Sequence, residues 1–99
     1  MIVIADTSVL ISLSAIGKLG LIQDRFPGGI LIPPAVWKEV VEQGKERPGA
    51  HQVATSNWIE VHDIRRQDIA KLLKQELDEG EAEAIVLADE VKAEVILLD

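Results

Sequence analysis

The chain predicts an α/β domain, a central and mainly parallel four-stranded sheet covered by helices on both faces. Four short apolar runs, Ile2-Val3-Ile4-Ala5, Ile30-Leu31-Ile32, Trp58-Ile59-Glu60-Val61 and Val95-Ile96-Leu97-Leu98, have the length and near-continuous hydrophobicity of buried strands. Helical stretches separate them. Strands that alternate with helices of this length build βαβ units, whose right-handed crossovers leave the strands parallel and the helices on the faces. With 99 residues and 47% apolar content there is material for one domain, residues 1–99, and a single modest core.

Each element has a local cause. After the first strand, Thr7-Ser8 can start a helix whose apolar residues Val9, Leu10, Leu13 and Ile16 recur at helical spacing, and Gly17 is a natural stop. A short helical piece over residues 18–26 reaches the turn Pro27-Gly28-Gly29, after which residues 30–32 form the second strand. Pro33-Pro34 sets up a helix from about Ala35 to near Gly44, because proline is pre-organised for a first helical turn. Arg47-Pro48-Gly49 is a loop, followed by a weak helical signal over residues 50–55. The third strand, residues 58–61, carries a polar member and suits a sheet edge. Residues 67–77 read as a helix, Asp78-Glu79-Gly80 as a break, residues 81–91 as the last helix, and the fourth strand follows Glu94.

Composition excludes several classes of function. There is no cysteine, which rules out disulfides and thiolate zinc sites and suits a reducing compartment. No apolar run approaches the ~18 residues of a membrane span, and the start lacks the basic region of a signal peptide, so a cytoplasmic protein without membrane attachment is expected. Ten basic against 17 acidic residues, a net charge of −7, is the wrong sign for a broad nucleic-acid-binding surface. Any nucleic-acid role must be local, where metal ions reverse the field of converging carboxylates.

Asp6 and Asp99 each end a strand pattern on an aspartate, and in an open parallel sheet ligands bind beyond the carboxyl ends of the strands. Asp6 before Thr7-Ser8 is also an ordinary helix N-cap. On the last helix, at about 100° per residue, Glu81 falls in line with Ile85 and Ala88 on the face expected to cover the sheet, while Glu83 and Glu90 point away. A carboxylate on a buried face needs a partner, a hydrogen bond or a metal. On the helix after the second strand, Glu39 sits at the edge of the stripe Val36, Trp37, Val40, Val41. Arg65-Arg66 with Lys71 and Lys74 is the densest basic group and the candidate grip on nucleic acid. His51 and His62 read as ordinary polar residues, so Ser-His-Asp catalysis has no support.

Four segments, Val3-Ile4-Ala5-Asp6-Thr7-Ser8-Val9-Leu10-Ile11, Pro33-Pro34-Ala35-Val36-Trp37-Lys38-Glu39-Val40, Gly80-Glu81-Ala82-Glu83-Ala84-Ile85 and Ala93-Glu94-Val95-Ile96-Leu97-Leu98-Asp99, together resemble a PIN domain, the nuclease fold of VapC-type toxins. The Gly-Glu-Ala-Glu-Ala-Ile form resembles a little-characterised prokaryotic branch of that family. The resemblance implies a PIN-like, Rossmann-like three-layer α/β/α sandwich. It also implies a site in which Asp6, Glu39, Glu81 and Asp99 are the catalytic acids and metal ligands, with Ser8 supporting Asp6. Glu83 competes with Glu81, but Glu81 lies 18 residues before Asp99, as the family pattern expects. Resembling domains usually continue past the fourth acid with another helix and strand, so the chain is expected to be cut short after its fourth strand, with an uncovered sheet edge that invites a homodimer.

The implied chemistry is hydrolysis of RNA phosphodiesters with Mg²⁺ or Mn²⁺, which hard oxygen ligands select, and the implied partners are an RNA substrate and, for a toxin, an antitoxin protein. The alternative is a non-catalytic PIN-like module that binds RNA or protein. Phosphatases of the haloacid dehalogenase kind need a second aspartate two residues after the first, where Ser8 stands, and nucleotide-binding Rossmann domains need a glycine-rich fingerprint that is missing.

Overall fold

The computed structural model describes residues 1–98 of the chain. Four parallel strands, β1 (Val3–Ala5), β2 (Ile30–Ile32), β3 (Ile59–Val61) and β4 (Val95–Leu97), form one sheet in the order β3-β2-β1-β4. The register pairs Ile4 with Leu31 and with Ile96, and Leu31 with Glu60. β1 is therefore central, and the residue that follows it emerges between β2 and β4. The Asp6 N–H donates to the Leu97 carbonyl at 3.1 Å, extending that pairing one residue past the strand.

Alternation along the strands divides the core in two, since successive strand side chains point to opposite faces. Val3, Ala5, Ile30 and Ile32 face one side, where they pack with Leu10, Ile22, Val36, Val40 and Val53 from the helical segments on that face. Ile4, with Leu31 and Ile96, faces the other, against Ile64, Ala70, Ala84, Val86 and Leu87. The fold is thus the three-layer α/β/α sandwich that the sequence predicts. β3 sits at one edge with Glu60 and Val61 exposed, as its polar residue suggested, and β4 at the other with all three residues half-buried.

The helices are α1 (Thr7–Ala15), α2 (Gly20–Arg25), α3 (Pro34–Trp37), α4 (Ala50–Thr55), α5 (Gln67–Leu73) and α6 (Glu79–Glu90). Three of them depart from expectation. The helix expected to run unbroken from Ala35 towards Gly44 is α-helical only through Trp37 and then widens into a π-helix, Lys38–Glu42, closed by Gln43 N–H to the Lys38 carbonyl at 2.8 Å. A stripe at positions 36, 37, 40 and 41 fits either winding, so spacing does not separate them. α5 stops four residues before the expected end, because Gln75 and Glu76 bond to carbonyls three residues back and tighten the chain into turns.

The third departure is a correction. α6 starts at Glu79, and its buried side is centred on Glu83 rather than on the line Glu81, Ile85, Ala88. Ile85 is 37% exposed, whereas Glu83 is only 8% exposed. The alanines at 82, 84 and 88 carry too little hydrophobic contrast to fix the helical phase, and α6 is flanked by α3 and α5 as well as the sheet, so its covered arc is broad. Glu83 satisfies its burial structurally: Oε1 accepts from the Ala35 N–H at 3.0 Å, an orphan donor in the first turn of α3, and Oε2 lies 3.9 Å from Lys74 Nζ.

Glu83→Ala should therefore cost about 1–3 kcal/mol, the penalty of leaving a buried donor unpaired, and Glu83→Gln, which keeps an acceptor oxygen, should recover most of it in urea denaturation. Equal stability of the alanine variant and the parent would contradict this role.

Candidate functional site

Asp6 leaves the carboxyl end of β1 and caps α1, its Oδ1 accepting from the Val9 N–H at 3.2 Å. At 2% exposure it is the most buried acid among the described residues. Asp78 does the same for α6, its Oδ1 accepting from the Glu81 N–H at 3.2 Å. Both carboxylates sit at the positive ends of helices, which offsets part of the cost of gathering acids there.

A pocket of about 340 Å³ opens at this edge of the sheet, and Asp6, Glu39, Asp78 and Glu81 are all on its wall. Thr7, Ser8, Gln43 and Arg47 line it too, with Ile11 as the apolar contribution. Of the acids read from the sequence, Asp6, Glu39 and Glu81 thus share one cavity and Glu83 does not. Asp99 lies outside the described residues. Glu81 reaches the pocket from the first turn of α6, half-buried, for a reason other than the helical phase first assigned to it.

Glu39 is positioned by a contact between three elements. The Thr7 hydroxyl, at the start of α1, donates to Glu39 Oε1 at 2.5 Å. Gly80, in the first turn of α6, lies directly against this pair: a Cβ there would overlap Glu39 Oε1 and come within 2.7 Å of Thr7 Oγ1. A side chain at this position would have to push the Glu39 carboxylate away from Thr7. Ser8, expected to support the first aspartate, lines the pocket but is exposed, and among the described residues its hydroxyl makes no hydrogen bond; the supporting hydroxyl in this structure is Thr7, acting on Glu39.

Sequence reasoning missed Thr7, Asp78, Gln43 and Arg47. The signals for Asp78 and Gly80 were present, an N-cap residue followed by a glycine inside an otherwise good helix former, but they read as an interruption. Arg47 lies in a loop whose path no periodicity reports.

Of the basic group proposed to grip nucleic acid, the side chains of Arg66 and Lys74 are in ion pairs, while none of the group lines the pocket. Arg66 makes a two-pronged ion pair with Asp68, at 3.0 and 2.8 Å, which holds the Asp68 carboxyl down to about 2. Lys74 lies 3.4 Å from Glu79 and 3.9 Å from Glu83, and the backbone N–H groups of Arg65 and Arg66 donate to Glu90.

The donors that converge on the pocket are oxygens only, the set that suits a hard divalent cation and not a soft one. Among the described residues, however, no group of three or more acids stands close enough to form a ready ligand shell. Glu39 Oε1 accepts from Thr7, and Asp6 Oδ1 from the Val9 N–H. No helix among the described residues is long and apolar enough to cross a membrane.

The Thr7, Glu39 and Gly80 contact yields a measurable coupling. Between Thr7→Val and Glu39→Ala a double-mutant cycle should return about 1–2 kcal/mol. In a Gly80→Ala background that coupling should vanish while overall stability stays within about 1 kcal/mol of the parent; coupling that persists with the alanine in place would show that the close approach does not position Glu39.

The DUF3368 family model, described as a PIN domain, matches residues 2–99. No curated protein and no solved structure gives a significant match.

Proposed function

The chain belongs to the PIN domain family, whose members are generally nucleases, and on that premise we propose that it is a metal-dependent endoribonuclease whose active site is the acidic pocket beyond β1. The observation that carries the reading is the meeting of Asp6, Glu39 and Glu81 on one cavity wall from three separate stretches of chain. In this reading Asp6, Glu39, Glu81 and Asp99 hold Mg²⁺ or Mn²⁺. When bound, the cation supplies an activated water and neutralises charge on the phosphodiester.

The chain's own residues do the rest. Asp6 Oδ1 accepts from the Val9 N–H in the first turn of α1, which helps to orient its carboxylate. Thr7 holds one oxygen of Glu39 and leaves the other able to turn to the pocket. Asp78 secures the first turn of α6 and with it the position of Glu81. Gln43, one turn beyond Glu39, adds a neutral amide able to donate to a phosphate or accept from a ribose hydroxyl. Biologically, the reading extends to the toxin of a toxin–antitoxin pair, with an antitoxin protein and a second copy of the chain as partners; family resemblance supports that extension.

A second reading, a non-catalytic module that binds RNA or protein, is favoured by the net charge of −7, which opposes a polyanionic substrate. Incubation of mixed RNA with the purified protein and Mn²⁺ separates the two. We expect cleavage by the parent and its loss in Asp6→Asn and Glu81→Gln, by more than the ~10–100-fold that outer-shell changes typically cost. Cleavage by neither parent nor variants would favour the binding module, and equal cleavage by all three would indicate a contaminant. Independently of cleavage, Mn²⁺ should raise the melting temperature of the parent and leave that of Asp6→Asn unchanged, because a ligand of the native state stabilises it; identical shifts in both would argue against a cation at Asp6.

A further inference from the structure

Four carboxylates and one cation share the pocket wall, and the cation is Arg47. Among the described residues its guanidinium makes no ion pair and no hydrogen bond. Arginine beside several acids ordinarily pairs with one of them, since charge-assisted and two-pronged contacts are the strongest it makes. Arg47 makes no such pair among the described residues, and its loop is anchored by the backbone on both sides. Gly44 is buried at the end of the π-helix, where a Cβ would lie 2.5 Å from the Val40 carbonyl oxygen, and the Arg47 N–H donates to the Gly44 carbonyl at 2.8 Å. Two residues on, Gly49 has φ +104° and sits against Ser14 of α1, where a Cβ would lie 2.7 Å from Ser14 Oγ. The loop is fastened on one side to the segment that carries Glu39 and on the other to the helix that Asp6 caps. Arg47 is thus an exposed residue on the pocket wall, on a loop whose backbone is anchored at both glycines.

A phosphodiester entering this pocket meets four negative charges on a chain that is already strongly acidic. It needs a positive group near the acids, and among the described residues that line the pocket Arg47 is the one that carries such a charge, whereas Arg66 and Lys74 lie outside it in ion pairs of their own. We propose that Arg47 is the substrate-binding residue of the pocket, whose guanidinium takes the non-bridging oxygens of a single-stranded RNA phosphodiester and so brings a polyanion up to a carboxylate site. A planar fork matches two phosphate oxygens in a way that a lysine ammonium does not. The assignment rests on the ribonuclease reading for its substrate, and on the pocket geometry for its residue.

The test uses a fluorescent single-stranded RNA oligonucleotide. Binding is followed by anisotropy over a salt series with Ca²⁺ present, and cleavage by steady-state kinetics with Mn²⁺, for the parent, Arg47→Gln, Arg47→Lys and Lys45→Gln. Lys45 is the control because it is a cation of the same loop that does not line the pocket. Arg47→Gln should raise both Kd and KM about tenfold with little change in kcat, and should flatten the slope of log affinity against log salt by about 0.7. Arg47→Lys should keep the slope and recover part of the affinity, and Lys45→Gln should behave as the parent. Parent-like binding by Arg47→Gln, or an equal loss in Lys45→Gln, would overturn the assignment. If the parent binds RNA through Arg47 but does not cut it, the nuclease reading falls and the assignment stands; if the parent cuts and Arg47→Gln is indistinguishable from it, the assignment falls and the nuclease reading stands. A parent that neither binds nor cuts would overturn both.

Discussion

The hydrogen bond from Thr7 to Glu39, closed over by Gly80, is the contact on which the geometry of the acidic pocket depends. It joins three stretches far apart in sequence: the start of α1, the π-helix after α3 and the first turn of α6. Each is delivered to the same place by the parallel sheet, because parallel strands bring the beginnings of the following helices to one edge. A side chain at position 80 would displace Glu39 from Thr7 while leaving the hydrophobic faces of the three elements untouched. The constraint is steric and local, and its consequence is electrostatic. Four acids line one pocket wall, with helix N-termini offsetting part of their repulsion at Asp6 and Asp78.

Glu83 shows how the same helix serves two purposes. Two residues after Glu81 on α6, it faces the core side and caps the first turn of α3 through the Ala35 N–H. A buried carboxylate there fixes the distance between α6 and α3, and α3 leads directly into the π-helix that carries Glu39. The structural acid and the pocket acid are therefore coupled through backbone rather than through side-chain contact. The two glutamates are alike in composition and opposite in role, and burial with a named donor distinguishes them.

Much of this was legible in the residues. Continuous apolar runs identified the strands, and the alternation of Val3 and Ala5 with Ile4 between two cores follows from strand geometry alone. Asp6 and Glu39 could be singled out because an acid after a strand or beside an apolar stripe has a limited set of explanations, whereas Glu81 was reached through a helical phase that the structure does not bear out and through the family spacing. What stayed hidden has physical reasons. The π-helix leaves the apolar spacing almost unchanged, the alanines of α6 do not reveal its buried arc, and the choice of Thr7 over Ser8 as the supporting hydroxyl depends on how closely α6 approaches. Arg47 belongs to a loop whose course is determined by glycine contacts at 44 and 49, and only three-dimensional packing shows that those contacts bring it to the pocket.

The central claim is that this pocket, rather than the acidic surface in general, attracts a divalent cation. Titrating substoichiometric Mn²⁺ into the isotopically labelled protein and following paramagnetic broadening of its amide signals tests that directly. The amides of Thr7, Glu39, Gln43 and Glu81 should broaden first and together. Broadening that begins at exposed acids such as Glu42, Glu46 or Asp63 while the pocket amides stay sharp would contradict it.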